Sequence, residues 1–439
     1  MVSADGVDGG GAAAAVGDKM TSTVVPAEVT GDNRVHELTN MDLAMKLHYL
    51  RMVYYYPAGG AGAGLTVPEL KYPMFRLLEV YYPACGRFRR SDSGRPAIKC
   101  NDSGVRVVEA RCGMTLQEWL DSKELSHHKH LAPNTVLGPD LYFSPPVEVQ
   151  FTRFKCGGLA LGFGWSHVLG DAASAANFAC MYGQILSGNP PQKLHYPQNP
   201  QAKSEKPPGV PLPGAAAPLS IKQVKPVGDC WLPTSEAKME SFSFHVTGAK
   251  LKYLQSKISS PGLTPFALIS ALIWQTLAKI KGNKEPQIVT ICRPHASATR
   301  SWIMSNEQTT GTVRVDFSPS KAELSELATS LAKGLAHENN AIEGQVEAET
   351  GAPDHIVYGA NLTFVDLEDF KLYELELKGQ KPAFVNYSIE GVGKEGTVLV
   401  FQGPKAEGED SGGRIVNVIF PEDQVRCLRK ELEADWNIA

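Results

Sequence analysis

Residues 159–171 read LALGFGWSHVLGD and join a strand pattern to a helix pattern. Bulky side chains alternate with small ones over residues 159–166, which is the period of a β-strand. Residues 172–186 then carry apolar side chains at helical spacing, and Gly188 follows as a helix-ending residue. We therefore predict a strand, a short turn and a helix at this point of the chain.

The small side chains of the predicted strand share one face, at Gly162, Gly164 and Ser166. A glycine in a strand has no Cβ, so another backbone or a ligand can come unusually close to it. We expect this face to accept another chain or a ligand at short distance.

The turn between the strand and the helix carries His167 and Asp171. An imidazole titrates near neutral pH, so it can remove a proton from a hydroxyl, amine or thiol that attacks a carbonyl. The alternative is a buried histidine bonded to a backbone carbonyl, with Asp171 as the helix cap. A chain with 11 His and 47 Asp+Glu among 439 residues contains about one such spacing by chance. The spacing alone leaves both interpretations open.

Composition excludes some classes of function. The 43 Lys+Arg and 47 Asp+Glu give a net charge of −4, which argues against nucleic acid and against a polybasic membrane anchor. The longest apolar run, residues 262–278, contains polar side chains and is shorter than the roughly 20 residues that span a bilayer. We predict no transmembrane span and a buried helix here, with Thr264 as cap and Pro265 in its first turn.

Cysteine and histidine patterns predict no metal site. None of the eight cysteines forms a CxxC pair, and no signal peptide precedes them, so we expect a reducing compartment. His127, His128 and His130 are interpreted as a solvated turn beside Lys129.

A proline-rich stretch divides the chain. We predict a disordered tail at residues 1–21, an N-terminal α/β domain at 22–188, a linker at 189–220 and a C-terminal α/β domain at 221–439. Helix and strand patterns mix in both halves, so the fold class is α/β. The topology is not visible from periodicity.

Several strings occur in the order of one plant enzyme family. They are residues 38–42 (LTNMD), 81–87 (YYPACGR), 151–158 (FTRFKCGG) and 264–266 (TPF) ahead of Trp274. With His167 and Asp171 between them, these strings resemble the BAHD acyltransferase family. The resemblance runs from about Ser22 to the C-terminus.

The resemblance implies a fold of two α/β domains, with mixed sheets and a solvent channel between the domains. Family members transfer an acyl group from coenzyme A to an alcohol or amine. By this resemblance His167, at the middle of the channel, would be the general base, and Asp171 would hold the loop. No cofactor is implied, since acyl-CoA would be a substrate.

The chain departs from the family at two places. Ala172 follows Asp171 where the family usually has glycine. The second family signature, Asp-Phe-Gly-Trp-Gly, is replaced by residues 376–380 (ELKGQ) ahead of Lys381. The acid of that signature pairs with an arginine in the family, and Arg293 is the candidate for that partner here.

The chain retains the first motif and lacks the second, and in this it resembles the Eceriferum/Glossy cuticular-wax subgroup of the family. The strings that carry this resemblance are residues 41–49 (MDLAMKLHY), 99–104 (KCNDSG), 138–141 (GPDL), 358–365 (YGANLTFV), 373–376 (YELE) and 381–387 (KPAFVNY). The subgroup supports elongation of very-long-chain fatty acyl groups together with the condensing enzyme of the endoplasmic-reticulum elongase, a ketoacyl-CoA synthase.

Two functions follow from the resemblance. The first is an interaction role, in which the protein binds a long acyl chain or the condensing enzyme on the cytosolic face of the endoplasmic reticulum. The alternative is an acyl-CoA-dependent acyltransferase that uses His167 on an alcohol or amine acceptor, in the endoplasmic reticulum or the cytoplasm. Whether the chain is an enzyme is left open at this stage.

Overall fold

The computed structural model describes residues 15–438, except 32, 93, 123–124, 195, 197–216, 233–236, 258–261, 296–301, 303, 349–353, 371 and 405–412. Within these residues the chain forms nine α-helices and eighteen strands. The helices are α1 (Asn40–Ala44), α2 (Val67–Val80), α3 (Leu116–Asp121), α4 (Ala172–Leu186), α5 (Gly248–Lys257), α6 (Pro265–Lys281), α7 (Leu324–Lys333), α8 (Asn339–Ala348) and α9 (Glu422–Trp436). The strands are β1 (Val16–Val24), β2 (Val35–Glu37), β3 (Tyr49–Tyr56), β4 (Arg87–Arg90), β5 (Pro96–Lys99), β6 (Val105–Cys112), β7 (Val147–Phe154), β8 (Leu159–Ser166), β9 (Lys222–Val224), β10 (Met239–Val246), β11 (Ile288–Arg293), β12 (Thr309–Arg314), β13 (Ala336–His337), β14 (Asp354–Ile356), β15 (Leu362–Leu367), β16 (Phe384–Glu390), β17 (Thr397–Gln402) and β18 (Arg414–Pro421).

Two large mixed sheets organise the chain. The first sheet has the order β1-β6-β7-β8-β3-β16, and the second has the order β10-β18-β17-β15-β11-β12-β13. Strand β16 comes from the second half of the chain and pairs antiparallel with β3 of the first half. Two small sheets, β2-β5-β4 and β9-β14, complete the described strands. The predicted mixed α/β class is confirmed.

The predicted helix after residue 264 is confirmed as α6. The Thr264 hydroxyl accepts a hydrogen bond from the Ala267 N–H at 3.2 Å, and Pro265 occupies the first turn. Most of α6 is buried in a core that it shares with the second sheet, so its apolar run serves packing. Among the described residues, no helix has both the length and the apolarity needed to cross a membrane.

Strand β8 and helix α4 position the candidate site, and both lie where the sequence predicts them. β8 runs antiparallel between β7 and β3. The Trp165 ring packs 5.5 Å from the Phe178 ring of α4, and its Nε1 donates to the Gly170 carbonyl at 2.9 Å. These contacts fix the direction in which the chain leaves the sheet.

The small face of β8 is covered by the protein itself. A Cβ atom on Gly162 would collide with the carbonyl oxygen of Leu131, and one on Gly164 would lie 3.0 Å from the carbonyl oxygen of Pro133. The close approach that we predict for this face is therefore made by the segment after residue 130.

Ordered structure begins earlier than we predict. Strand β1 starts at Val16 and pairs antiparallel with β6, so residues 16–21 are not part of a disordered tail. Backbone hydrogen bonds to β6 stabilise β1, and the weakly apolar sequence of residues 16–21 does not predict them. Residues 1–14, and residues 195 and 197–216 of the predicted linker, lie outside the described residues.

Candidate functional site

The chain turns sharply between β8 and α4. Residues His167–Leu169 form one turn of 3₁₀ helix, and Gly170 follows with φ of 153°. A Cβ on Gly170 would lie 2.7 Å from the Ser174 side chain, so glycine is needed here. The backbone N–H of His167 donates to the His48 carbonyl at 3.0 Å, which anchors the turn to the segment before β3.

The His167 imidazole is fully buried. Its Nε2 lies 2.9 Å from the Tyr358 hydroxyl, and the two rings are 5.4 Å apart between centroids. The family resemblance implies solvent access to this ring, whereas Tyr358 and the ring of His48 pack beside it. Burial lowers the pKa of His167 to about 4, so the ring is neutral at pH 7.

The Tyr358 hydroxyl bridges two polar groups. It donates to Gln308 Oε1 at 3.0 Å and lies against His167 Nε2 on its other side. A hydroxyl has only one proton to donate, so it cannot donate to Gln308 and to His167 at the same time. In either tautomer of His167, the Tyr358 hydroxyl occupies the position beside Nε2 that a substrate would need.

His48 belongs to the same site, although the sequence analysis assigns it no role beyond its place in the string at residues 41–49. Its Nε2 accepts hydrogen bonds from the N–H groups of Val357 at 3.1 Å and Tyr358 at 3.4 Å. Burial, with a smaller contribution from nearby His167, lowers the pKa of His48 to about 3. His48 thus positions the Tyr358 segment and stays uncharged.

Asp171 ties the start of α4 to a distant segment. Its carboxylate accepts from the N–H groups of Ala173 at 3.0 Å, Ser174 at 3.1 Å and Glu307 at 3.1 Å. Its own N–H donates to the Ser305 carbonyl at 3.0 Å. Burial raises the pKa of Asp171 to about 6. These bonds go to backbone groups and support the holding role that the resemblance implies.

A second buried acid completes the network. Asn306 Nδ2 donates to Asp42 Oδ1 at 2.8 Å and to the His167 carbonyl at 2.8 Å. Burial raises the pKa of Asp42, which also accepts from the Thr39 N–H at 2.7 Å. The opening string at residues 38–42 is thereby joined to the His167 turn.

The predicted pairing of Arg293 with the acid of the replaced second signature, Glu376, is wrong. Arg293 Nε lies 3.8 Å from Asp366 Oδ2, while Glu376 pairs with Lys381 at 3.5 Å. The two sites are separate because Asp366 lies in β15, the parallel neighbour of β11, directly after Val365, which pairs with Cys292. Residues 376–380 form a tight turn instead, in which Gln380 Oε1 accepts from the Ala63 N–H at 3.0 Å.

The histidine-rich turn is also less solvated than we predict. His128 is 4% exposed, its Nδ1 is hydrogen-bonded to the Tyr55 hydroxyl, and its ring lies 5.8 Å from the Phe384 ring. No cluster of three His, Cys, Asp or Glu side chains suited to a metal occurs in the part of the chain that the structure describes.

Replacing His48 with Gln is expected to make stability less sensitive to acid. The folded pKa of His48 is about 3, so the unfolded chain binds its proton first as the pH falls below about 6.5. The free energy of unfolding therefore falls on acidification, and His48 alone lowers it by about 2 kcal/mol at about pH 5. Urea unfolding of both proteins at several pH values measures the difference.

Comparing the two proteins isolates His48 from other groups. Burial raises the pKa of Asp171 and of Asp366 to about 6, and these acids favour folding as the pH falls, which opposes the histidine effect. Their contribution is the same in both proteins and cancels in the difference. Equal acid sensitivity of the wild type and His48→Gln would contradict a buried, neutral His48.

These features define the class of protein. The Transferase family model matches residues 14–435, and the chain belongs to that family. The predicted membership in the BAHD acyltransferases, with its resemblance to the Eceriferum/Glossy subgroup, is confirmed.

Particular relatives are similar over most of the chain. ECERIFERUM 2 of Arabidopsis thaliana is 40% identical, covering 94% of this chain and 96% of its own length. ECERIFERUM 26 of the same plant is 36% identical, covering 94% of each chain. The crystal structure of vinorine synthase superimposes with a TM-score of 0.71 at 18% identity, covering 95% of this chain and 98% of that one. This last likeness confirms the predicted fold.

Proposed function

We propose that this protein promotes elongation of very-long-chain fatty acyl groups for cuticular wax, without using His167 as a catalytic base. The observation that carries the proposal is the 2.9 Å contact between His167 Nε2 and the Tyr358 hydroxyl. The His167 side chain has no exposed surface. A general base must reach the proton of its substrate directly or through one water. Here a side chain of the protein holds that position.

The replaced second signature supports the same proposal. Residues 376–380 form a turn fastened to the loop after β3, with Leu377 and Gln380 exchanging backbone hydrogen bonds at 2.9 and 3.0 Å. The ion pair that the family builds there is absent from this turn, since Arg293 lies beside Asp366.

The relatives support a proposal for the partner and the location. Similarity to ECERIFERUM 2 and ECERIFERUM 26 extends over 94% of the chain. On this basis we propose that the partner is the condensing enzyme of the elongase, a ketoacyl-CoA synthase. The protein would act peripherally, at the cytosolic face of the endoplasmic reticulum, on a long acyl chain held by that enzyme.

One observation favours the alternative function of acyl transfer. The His167 and Asp171 pair is retained, and the imidazole is in the neutral form that a general base requires. If Tyr358 moved aside, His167 could take the proton of an alcohol or amine as it attacked the thioester of an acyl-CoA. Collapse of the oxyanion would then expel the coenzyme A thiolate, with no covalent enzyme intermediate.

Replacing His167 with Ala separates the two functions. We expect the variant, co-expressed with a condensing enzyme, to give the same lengthened acyl chains as the wild type, because the ring has no substrate role. Gas chromatography of the acyl chains measures the result. The matched control is His337→Ala, which removes an exposed histidine at the edge of the second sheet.

Folding must be measured alongside the products. A His167→Ala protein that keeps its thermal unfolding midpoint and loses the longer chains would refute the proposal and establish the catalytic alternative. Retention of the longer chains at wild-type level would exclude catalysis by His167 in this role.

A further inference from the structure

A groove of about 410 Å³ lies on the first sheet, away from the His167 turn. Its floor is formed by three neighbouring strands, with Thr21 opposite Val108 and Arg106 opposite Glu148 in the register. Its wall is the segment of residues 129–135. The volume is within the range of sites that bind small molecules, roughly 300–1,000 Å³.

The groove and the helix α4 lie on opposite faces of the first sheet. Phe163 and Trp165 of β8 point to α4, where both rings contact Phe178. Gly162 and Gly164 alternate with them and face the segment that walls the groove. A ligand in the groove would therefore not touch the His167 site.

Buried polar side chains hold the wall in place. Gln150 is 1% exposed, and its Nε2 donates to the His130 carbonyl at 2.9 Å. Arg51 is 4% exposed, and its Nη2 donates to the Thr135 carbonyl at 3.1 Å. Both ends of the wall are thus fixed to the sheet, and the groove is formed before any ligand arrives.

The groove carries more positive than negative charge. Its charged side chains are Lys19, Lys129 and Arg106 against one acid, Glu148. Glu148 is already neutralised, because its Oε1 lies 2.8 Å from Arg106 Nη1. Lys19 and Lys129 are exposed, and no ion pair within the described part of the chain involves them. In a protein of net charge −4, this local excess attracts anions.

We propose that this groove binds a phosphate ester. Arg106 Nη1 donates a hydrogen bond to Glu148 Oε1. The remaining N–H groups of this guanidinium can donate to phosphate oxygens in the fork geometry that arginine provides. The two lysines add point charges at the rim. Thr21, Asn134 and Thr135 supply neutral polar groups beside them, and Val108 and Pro133 supply an apolar surface for the esterified group.

Binding of defined probes to the full-length protein tests the site. The probes are inorganic phosphate and glycerol 3-phosphate, measured by calorimetry, and phosphatidic acid in phosphatidylcholine vesicles, measured by co-sedimentation. If the ligand is a soluble phosphate ester, we expect glycerol 3-phosphate to bind. If the ligand is a lipid headgroup, we expect only the phosphatidic acid vesicles to bind. Either result supports the site, provided that the variants below respond.

The double variant Lys19→Ala with Lys129→Ala removes the two unpaired charges and leaves the buried side chains intact. We expect it to bind about thirtyfold more weakly than the wild type, which corresponds to about 1 kcal/mol for each of the two lysines. The matched control replaces the exposed Lys252 and Lys430 with Ala and should bind as the wild type does. Failure of every probe to bind, or equal binding by both double variants, would overturn the proposal.

Discussion

Replacing Asp171 with Ala is expected to lower the free energy of unfolding by about 2–5 kcal/mol. The carboxylate caps α4 through the N–H groups of Ala173 and Ser174, and loss of such a cap costs about 1–2 kcal/mol. The same change leaves the Glu307 N–H without its acceptor, at a further cost of about 1–3 kcal/mol. Urea or thermal unfolding measures the sum.

Two comparisons separate the role of Asp171 from a general effect of charge. Asp171→Asn keeps an oxygen for Ala173 and Ser174 but places an amide donor beside the Glu307 N–H, so we expect an intermediate loss. Asp423→Ala removes an exposed acid from the first turn of α9, where no side chain caps the helix, and should cost less than about 1 kcal/mol. If Asp171→Ala unfolded like Asp423→Ala, the bridge to residues 305–307 would be irrelevant to stability.

Local signals in the sequence are sufficient to predict the strand and the helices that position the site. Alternation over residues 159–166 predicts β8, and the spacing after Asp171 predicts α4. Thr264 and Pro265 likewise predict the start of α6, because capping and the fixed φ of proline act within one turn. Each of these predictions depends on residues that are neighbours along the chain.

The rest of the site could not be predicted, because sheet register assembles it. Strand β3 pairs antiparallel with β8 so that Tyr49 lies opposite Ser166. The residue before Tyr49 and the residue after Ser166 are therefore adjacent, which places His48 beside His167. Nothing in the spacing of the two histidines encodes this pairing, and a register one residue away would separate them.

Tyr358 and Gln308 reach the site from the second half of the chain. Tyr358 lies between β14 and β15, and Gln308 lies just before β12. Their approach depends on how the second sheet meets the first, which periodicity does not specify. The string at residues 358–365 marks the subgroup in the sequence, and only the structure reveals that its first residue contacts His167.

Replacing Tyr358 with Ala is expected to have the largest effect on His167 itself. Loss of the ring opens a cavity beside the imidazole, at a cost of about 3–5 kcal/mol in the free energy of unfolding. Water that enters this polar space would solvate the imidazolium, so the pKa of His167 should rise from about 4 toward 6.5. An NMR titration of the histidine side chains, combined with unfolding measurements, tests both effects.

Tyr358→Phe separates the ring from the hydroxyl. It keeps the ring that excludes water but leaves His167 Nε2 and Gln308 Oε1 without their shared partner, so we expect a smaller loss of about 1–3 kcal/mol. The pKa of His167 should remain low in this variant, and His36, whose pKa desolvation also lowers to about 4, serves as an internal control in both. A His167 pKa that stayed near 4 in Tyr358→Ala would mean that other walls exclude water. The proposal that Tyr358 closes the site against a substrate would then fail, since removing the closure must expose the base that it covers.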